Sequence, residues 1–184
     1  DGGNPTLRNN RIFNGKLFGV NIHHNAKGRL EGNEIYRNAN AGIIIMDKAD
    51  PVICANNRVF DGQREGILVD KDGFGKITEN DIYNNSLANV EVRNSQPVLE
   101  KNKIRDGQAE GVLFTDSATG KLENNEIFGN IGAGIRVTKV ANPIVRQNRV
   151  HECRAAGAII ENKGAGSFDE NKFYSNQNSG VIIQ

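Results

Sequence analysis

Carboxylates, histidines and cysteines are the residues of this 184-residue chain that could do chemistry, and their spacing narrows what that chemistry is. The segment Asp70–Asp81 has the spacing of a calcium loop, with acids at positions one and three and Gly75 at six. Phe74 at position five offers no oxygen, and Asp81 at position twelve is too short for the usual bidentate Glu. His23 and His24 are adjacent; neighbours on a strand point to opposite faces, and no third ligand is evident. Cys54 and Cys153 give neither a zinc spacing nor a disulfide framework. Two polar series recur at intervals of 22–24 residues. One is His23, Met46, Asp70, Arg93, Thr115, Thr138 and Glu161; the other is His24, Asp47, Lys71, Asn94, Asp116, Lys139 and Asn162. Within them Asp70 with Arg93, and Asp47 with Lys71, read as surface ion pairs. Acid–base catalysis needs carboxylates grouped beside a base, and no compact cluster of three acids is evident. The expectation is a protein with no catalytic residue, no metal and no cofactor.

The elements that must carry these residues follow from an internal repeat. Asn-x-(Ile/Val/Phe) recurs at Asn10, Asn33, Asn57, Asn80, Asn102, Asn125, Asn148 and Asn171, spaced by 23, 24, 23, 22, 23, 23 and 23 residues. Nine residues after each Asn stands a Gly, or Asn89 in one repeat, followed by apolar-x-apolar such as Ile43/Ile45 and Val112/Phe114. Asn89 suggests a left-handed backbone at this position, since Asn tolerates it best after Gly. Alternation with period 2 means short strands with one buried face. Short strands at a fixed period of about 23 predict a right-handed, single-stranded parallel β-helix of about eight coils, a single domain over residues 1–184. The leucine-rich repeat, whose period overlaps, needs a different apolar spacing.

Pro5, Pro51, Pro97 and Pro143 lie 46 residues apart, so the unit is a pair of coils. The residue after the ladder Asn alternates in charge from Arg11 and Glu34 to Glu126 and Arg149, which would fix register between coils. The Asn column is expected to form an amide ladder. Phe13, Tyr36, Phe60, Tyr83, Phe128 and Tyr174 form an aromatic row interrupted by Arg105 and His151; packing at a corner is the favoured reading, sugar stacking the other. Neither end shows a polar cap, so the chain is expected to be part of a longer solenoid or to stack end to end.

A net charge of +1 argues against a polyanion binder such as a nucleic-acid protein. The longest apolar run, Ile43–Met46, is far too short to span a membrane. The outward column of the post-glycine strands is more informative. It includes Ile44, Leu68, Glu91, Leu113, Arg136 and Ile159, mostly aliphatic where water favours polar residues. These six are the candidate partner-binding residues; coverage by loops is the competing explanation.

The alternating coil openings Asn4–Gly15, Gly28–Asn38 and Gly120–Asn130 resemble the β-helix of the F-box substrate receptors of cullin-RING ubiquitin ligases. More broadly they are similar to the CASH class of carbohydrate-binding proteins and sugar hydrolases. The F-box resemblance implies a non-enzymatic module that recognises a protein partner, there a degradation substrate, inside the cell. Two free thiols fit a reducing compartment. The chain shows no F-box. The alternative reading is a carbohydrate-binding or polysaccharide-processing β-helix, as in lyases and epimerases, and the third a structural scaffold.

Overall fold

The computed structural model describes residues 2–184. The first coil sets the pattern: β1 (Thr6–Arg8), β2 (Arg11–Phe13) and β3 (Val20–Ile22). Seven further coils repeat it, giving 24 strands in three parallel eight-stranded sheets. Sheet A collects the first strand of every coil, sheet B the second and sheet C the third. Each strand pairs with its counterpart one coil away, as Ile35 does with Val59 and Val90 with Val112. Eight coils at a strand spacing of about 4.8 Å give a rod roughly 38 Å long. Among the described residues no helix is long and apolar enough to cross a membrane.

The middle residues of sheets A and B and the flanking residues of sheet C point inward. Ile53, Ile77, Ile104, Ile127, Val92 and Phe114 are fully buried in one continuous core. A coil of three-residue strands cannot bury these side chains alone; stacking the next coil on it does. The sharp bends between sheets A and B put polar backbone inside, and the Asn column satisfies it. Each ladder amide donates to the next Asn Oδ1, for example Asn33 to Asn57 at 2.9 Å and Asn102 to Asn125 at 3.0 Å. The same oxygen accepts the preceding ladder residue's backbone N–H, as from Asn102 N to Asn125 Oδ1 at 2.9 Å.

The glycine column differs from the left-handed expectation. Gly19, Gly42, Gly66, Gly111, Gly134, Gly157 and Gly180 do not have positive φ, nor does Asn89. Close approach is the reason for glycine: a Cβ at Gly66 would stand 2.6 Å from the carbonyl oxygen of Asn89 one coil on. Asn89 fits because its amide enters space that Gly107 leaves open, donating to Asn130 Oδ1 at 2.9 Å. Left-handed residues sit instead at the bends between sheets A and B, such as Asn9 and Glu79, just after sheet B, such as Asn14 and Asn84, and in the turns after sheet C. His24/Asn25, Asp47/Lys48, Lys71/Asp72 and Asp116/Ser117 are left-handed pairs, closed by bonds such as Ala49 N to Met46 O at 3.1 Å. These are type I′ turns.

Candidate functional site

The charge column after the ladder pairs across coils. Glu34 meets Arg58 at 2.9 Å and Arg11 at 3.4 Å, and Glu126 meets Arg149 at 3.3 Å. Asp81 turns from Lys103 to Arg105 at 2.9 Å, and the guanidinium of Arg105 lies 4.2 Å from the centroid of Tyr83. Arg105 thereby fills a gap in the aromatic row. The hydrogen bond to Asp81 raises its pKa, with burial opposing. Rings of the row stack on each other, Phe60 on Tyr83 at 4.9 Å and 1°, Phe128 on His151 at 5.1 Å and 2°. Within the row the ring faces are spent on neighbouring rings, so it packs and presents mainly edges to a sugar, Phe13 and Tyr174 at its ends being exposed.

Asp70–Asp81 lies in solenoid register: Lys71 and Asp72 form a turn, Ile77 is core and Asn80 is a ladder residue. Cys54 and Cys153 are buried free thiols. Burial pushes the Cys153 thiol up, with hydrogen bonds from Asn130 acting the other way.

The six outward residues of sheet C do form one register column: Ile44, Leu68, Glu91, Leu113, Arg136 and Ile159 pair in sequence. Its aliphatic end is not a free surface. Ile44 (5% exposed) and Leu68 (7%) are buried in a satellite cluster with Ala41, covered by Phe18 and Met46. Leu113 and Ile159 are half-buried and separated by Arg136.

Charged residues occupy the middle of the column, and three acids gather there, contrary to the expectation of no compact cluster of three acids. Arg93 gathers three carboxylates: its Nε donates to Glu91 at 2.6 Å, and its other nitrogens face Glu65 at 3.7 Å and Asp70 at 3.9 Å. The hydrogen bond to Glu91 raises the Arg93 pKa, with burial opposing. The Glu65 side chain is 1% exposed, and its Oε2 has no hydrogen-bond partner among the described residues. Two coils on, Arg136 faces Glu110 at 3.2 Å and Glu161 at 3.8 Å, and Lys139 faces Asp116 at 3.3 Å. Asp47 and Lys71, the other expected pair, do not approach within 4.0 Å.

Sheet C widens here. Val90–Arg93 and Val112–Thr115 are the four-residue strands of the fold, and Arg93 pairs with Thr115. The single 22-residue spacing falls in this coil. Arg93, Thr115, Thr138 and Glu161 consequently line an open groove of about 440 Å³, with Glu91, Glu110, Leu113, Arg136, Lys139 and Asn162. Another concavity of about 500 Å³ lies over the ladder bend at Asn56, Glu79 and Lys101, among register-fixing charges.

Sequence reasoning missed Glu65 and Glu110. They precede the glycine column, at a position that is Ala41, Ala88, Ala133 and Ala156 in other coils. Two acids in a column of small residues were the available signal. The histidine pair was also misplaced. His23 lies beyond the end of β3 and His24 is the first left-handed residue of a type I′ turn. The rings therefore meet edge to face, centroids 4.5 Å apart, and their Nδ1 atoms face each other.

The model of the right-handed beta helix region matches residues 1–90 and 54–184, and so spans the chain. The chain belongs to the right-handed beta helix family. No curated protein matches the sequence significantly. Among solved structures, the β-helix resembles the Azotobacter vinelandii mannuronan C-5 epimerase AlgE6 A-module, with a TM-score of 0.79 and 18% identity. That match covers 97% of this chain and 57% of the other, so the chain spans little more than half of that module. The AlgE4 A-module of the same organism aligns with a TM-score of 0.55 and 14% identity, over 100% of this chain and 77% of that one. These likenesses establish the shared fold. Neither the family model nor these structures introduce an F-box or a ubiquitin ligase.

Proposed function

We propose that this β-helix binds a polysaccharide along the outer face of sheet C, in the groove over Arg93, Leu113, Arg136 and Glu161. The groove itself carries the reading. Four coils present carboxylates, guanidinium groups, Thr hydroxyls and an amide to one open channel. Sugar hydroxyls are both donors and acceptors, and such a mixed lining can meet both roles. Half-buried Leu113 offers the apolar contact for a ring face. The fold likeness to modules that act on mannuronan supports the same ligand class.

The lining contains four acids (Glu91, Glu110, Asp116, Glu161) and three bases (Arg93, Arg136, Lys139). Every base is already within 4 Å of a carboxylate. A uronate must compete with these pairs, whereas a hydroxyl can bridge them. The site is thus suited to binding through hydroxyls rather than to collecting polyanions, and no base stands clear of a countercharge for turnover. A protein partner on the same column has less to recommend it, because Ile44 and Leu68 are already covered.

Affinity electrophoresis through gels containing neutral and uronic polysaccharides, polymannuronate among them, tests this. The wild type should be retarded by at least one polymer. A double variant, Glu110→Gln with Arg136→Gln, removes both charges of one pair and should lose at least tenfold in affinity. Migration unaffected by every polymer of a broad panel would contradict the proposal. Altered composition of a polymer after incubation would replace binding with catalysis.

A further inference from the structure

A second polar cluster lies at the turn edge of sheet C in the first two coils, away from the groove residues. His23, His24 and Asp47 each bring one potential ligand atom within 4.8 Å of the other two. Two features of the fold make this set. The type I′ turn folds the His24 ring back against His23. Stacking then places the Asp47 turn one coil above, where Asn25 N donates to the Asp47 carbonyl at 3.0 Å. The Asp47 carboxylate makes no ion pair or side-chain hydrogen bond among the described residues, although Lys71 occupies the equivalent position in the next coil. It differs in this from the equivalent acid Asp116, which Lys139 holds at 3.3 Å. Among the described residues the imidazoles have no polar partner but each other.

We propose that His23, His24 and Asp47 bind one divalent first-row transition ion, with zinc as the natural probe. Two imidazoles and a carboxylate suit zinc, copper, nickel or iron, and not calcium or magnesium, which take oxygen ligands. Ligand atoms on a tetrahedral zinc, bonded at about 2.0–2.1 Å, are roughly 3.3 Å apart. The three side chains reach that spacing by small rotations, because all lie in surface turns and His24 is exposed. With three protein ligands a fourth position remains for water or another donor. Zinc would tie the first coil to the second.

Competition between the full chain and a chromophoric zinc chelator tests the site. The wild type should bind one equivalent and keep it in a large excess of calcium. His24→Asn and Asp47→Asn retain a residue tolerant of the left-handed turn, and each should weaken zinc at least tenfold. Cobalt should give a visible d–d band in the wild type that both variants lose. Circular dichroism should show the same fold for all three proteins. No zinc uptake by the wild type overturns the proposal, as does wild-type affinity in both variants. A variant that fails to fold is replaced by His23→Gln, for which the same tenfold loss is expected.

Discussion

The charged centre of sheet C turns on one arginine. Arg93 is about one-third exposed, yet it faces Glu65 and Glu91, which are almost fully buried; Glu65 also has Arg64 at 3.5 Å, whereas Arg93 is the one cation within 4.0 Å of Glu91 among the described residues. Removing one member of a buried ion pair costs more than the pair contributes, because the other is left without a countercharge. Arg93→Ala should therefore destabilise the chain by about 3 kcal/mol, seen as a lower urea midpoint with unchanged slope. Glu65→Ala should behave differently. Arg93 keeps Glu91 and Asp70, and four other coils already place Ala there. The change should stay within about 1 kcal/mol of the wild type. A larger loss for Glu65→Ala than for Arg93→Ala would show that the cluster is organised around the acid. Neither Glu65 nor Glu110 was legible as part of a site. Both lie outside the strands, and what gives them a role is the arginine one coil further along, a relation that appears only once the coils stack.

At the scale of the coil, the sequence was legible wherever every coil repeats the same residue. The ladder from Asn10 to Asn171 and the inward apolar columns recur at each turn and were read in place; the register charges pair as read at Arg11, Glu34, Arg58, Glu126 and Arg149 but not at Lys103. Features confined to alternate coils were not. Asn38, Asn85, Asn130 and Asn176 form a second set of buried or half-buried amides, each capping the backbone N–H of the coil before it. Asn85 Oδ1 accepts from Gly62 N at 3.0 Å, and Asn130 Oδ1 from Gly107 N at 3.0 Å. The preceding coil has Gly15, Gly62, Gly107 or Cys153 there, and the glycines leave room for the amide. This is a structural partner of the 46-residue period that the prolines had marked. Substitutions separate the devices. Asn102→Ala orphans the backbone N–H of Asn80, whose amide keeps the Ile53 and Thr78 carbonyls, and removes the bonds Asn102 donates to Ile77 O and Asn125 Oδ1; at about 1–3 kcal/mol per lost partner it should cost roughly 3 kcal/mol. Gly66→Ala should cost about as much by overpacking, since its Cβ would meet Asn85 Nδ2 and the Asn89 carbonyl, both at 2.6 Å. Gly62→Ala meets only the Asn85 Oδ1 below 3.0 Å, at 2.9 Å and with no backbone atom that close, and should cost less than Gly66→Ala. Thermal denaturation of the three variants checks that order.

For the whole molecule, three sheets divide the work. Sheet A adds a core wall, sheet B carries the register charges and the stacked rings, and sheet C carries the groove. Because each coil touches only its neighbours, the outer residues of sheet C can vary while the inner ones stay fixed. The rod therefore presents an aliphatic satellite cluster, a charged groove and a histidine turn on one scaffold. The right-handed β-helix was legible because its period is strict and its apolar columns have no other way to be buried. The groove was not, because it depends on which outward side chains converge across four coils. The most direct measurement is to titrate polysaccharides onto the isotopically labelled chain and map amide shifts. The shifts should cluster at Glu91, Arg93, Leu113, Thr115, Thr138 and Asn162. Shifts confined to the aromatic row of sheet B, or none with any polymer, would contradict a glycan groove on sheet C.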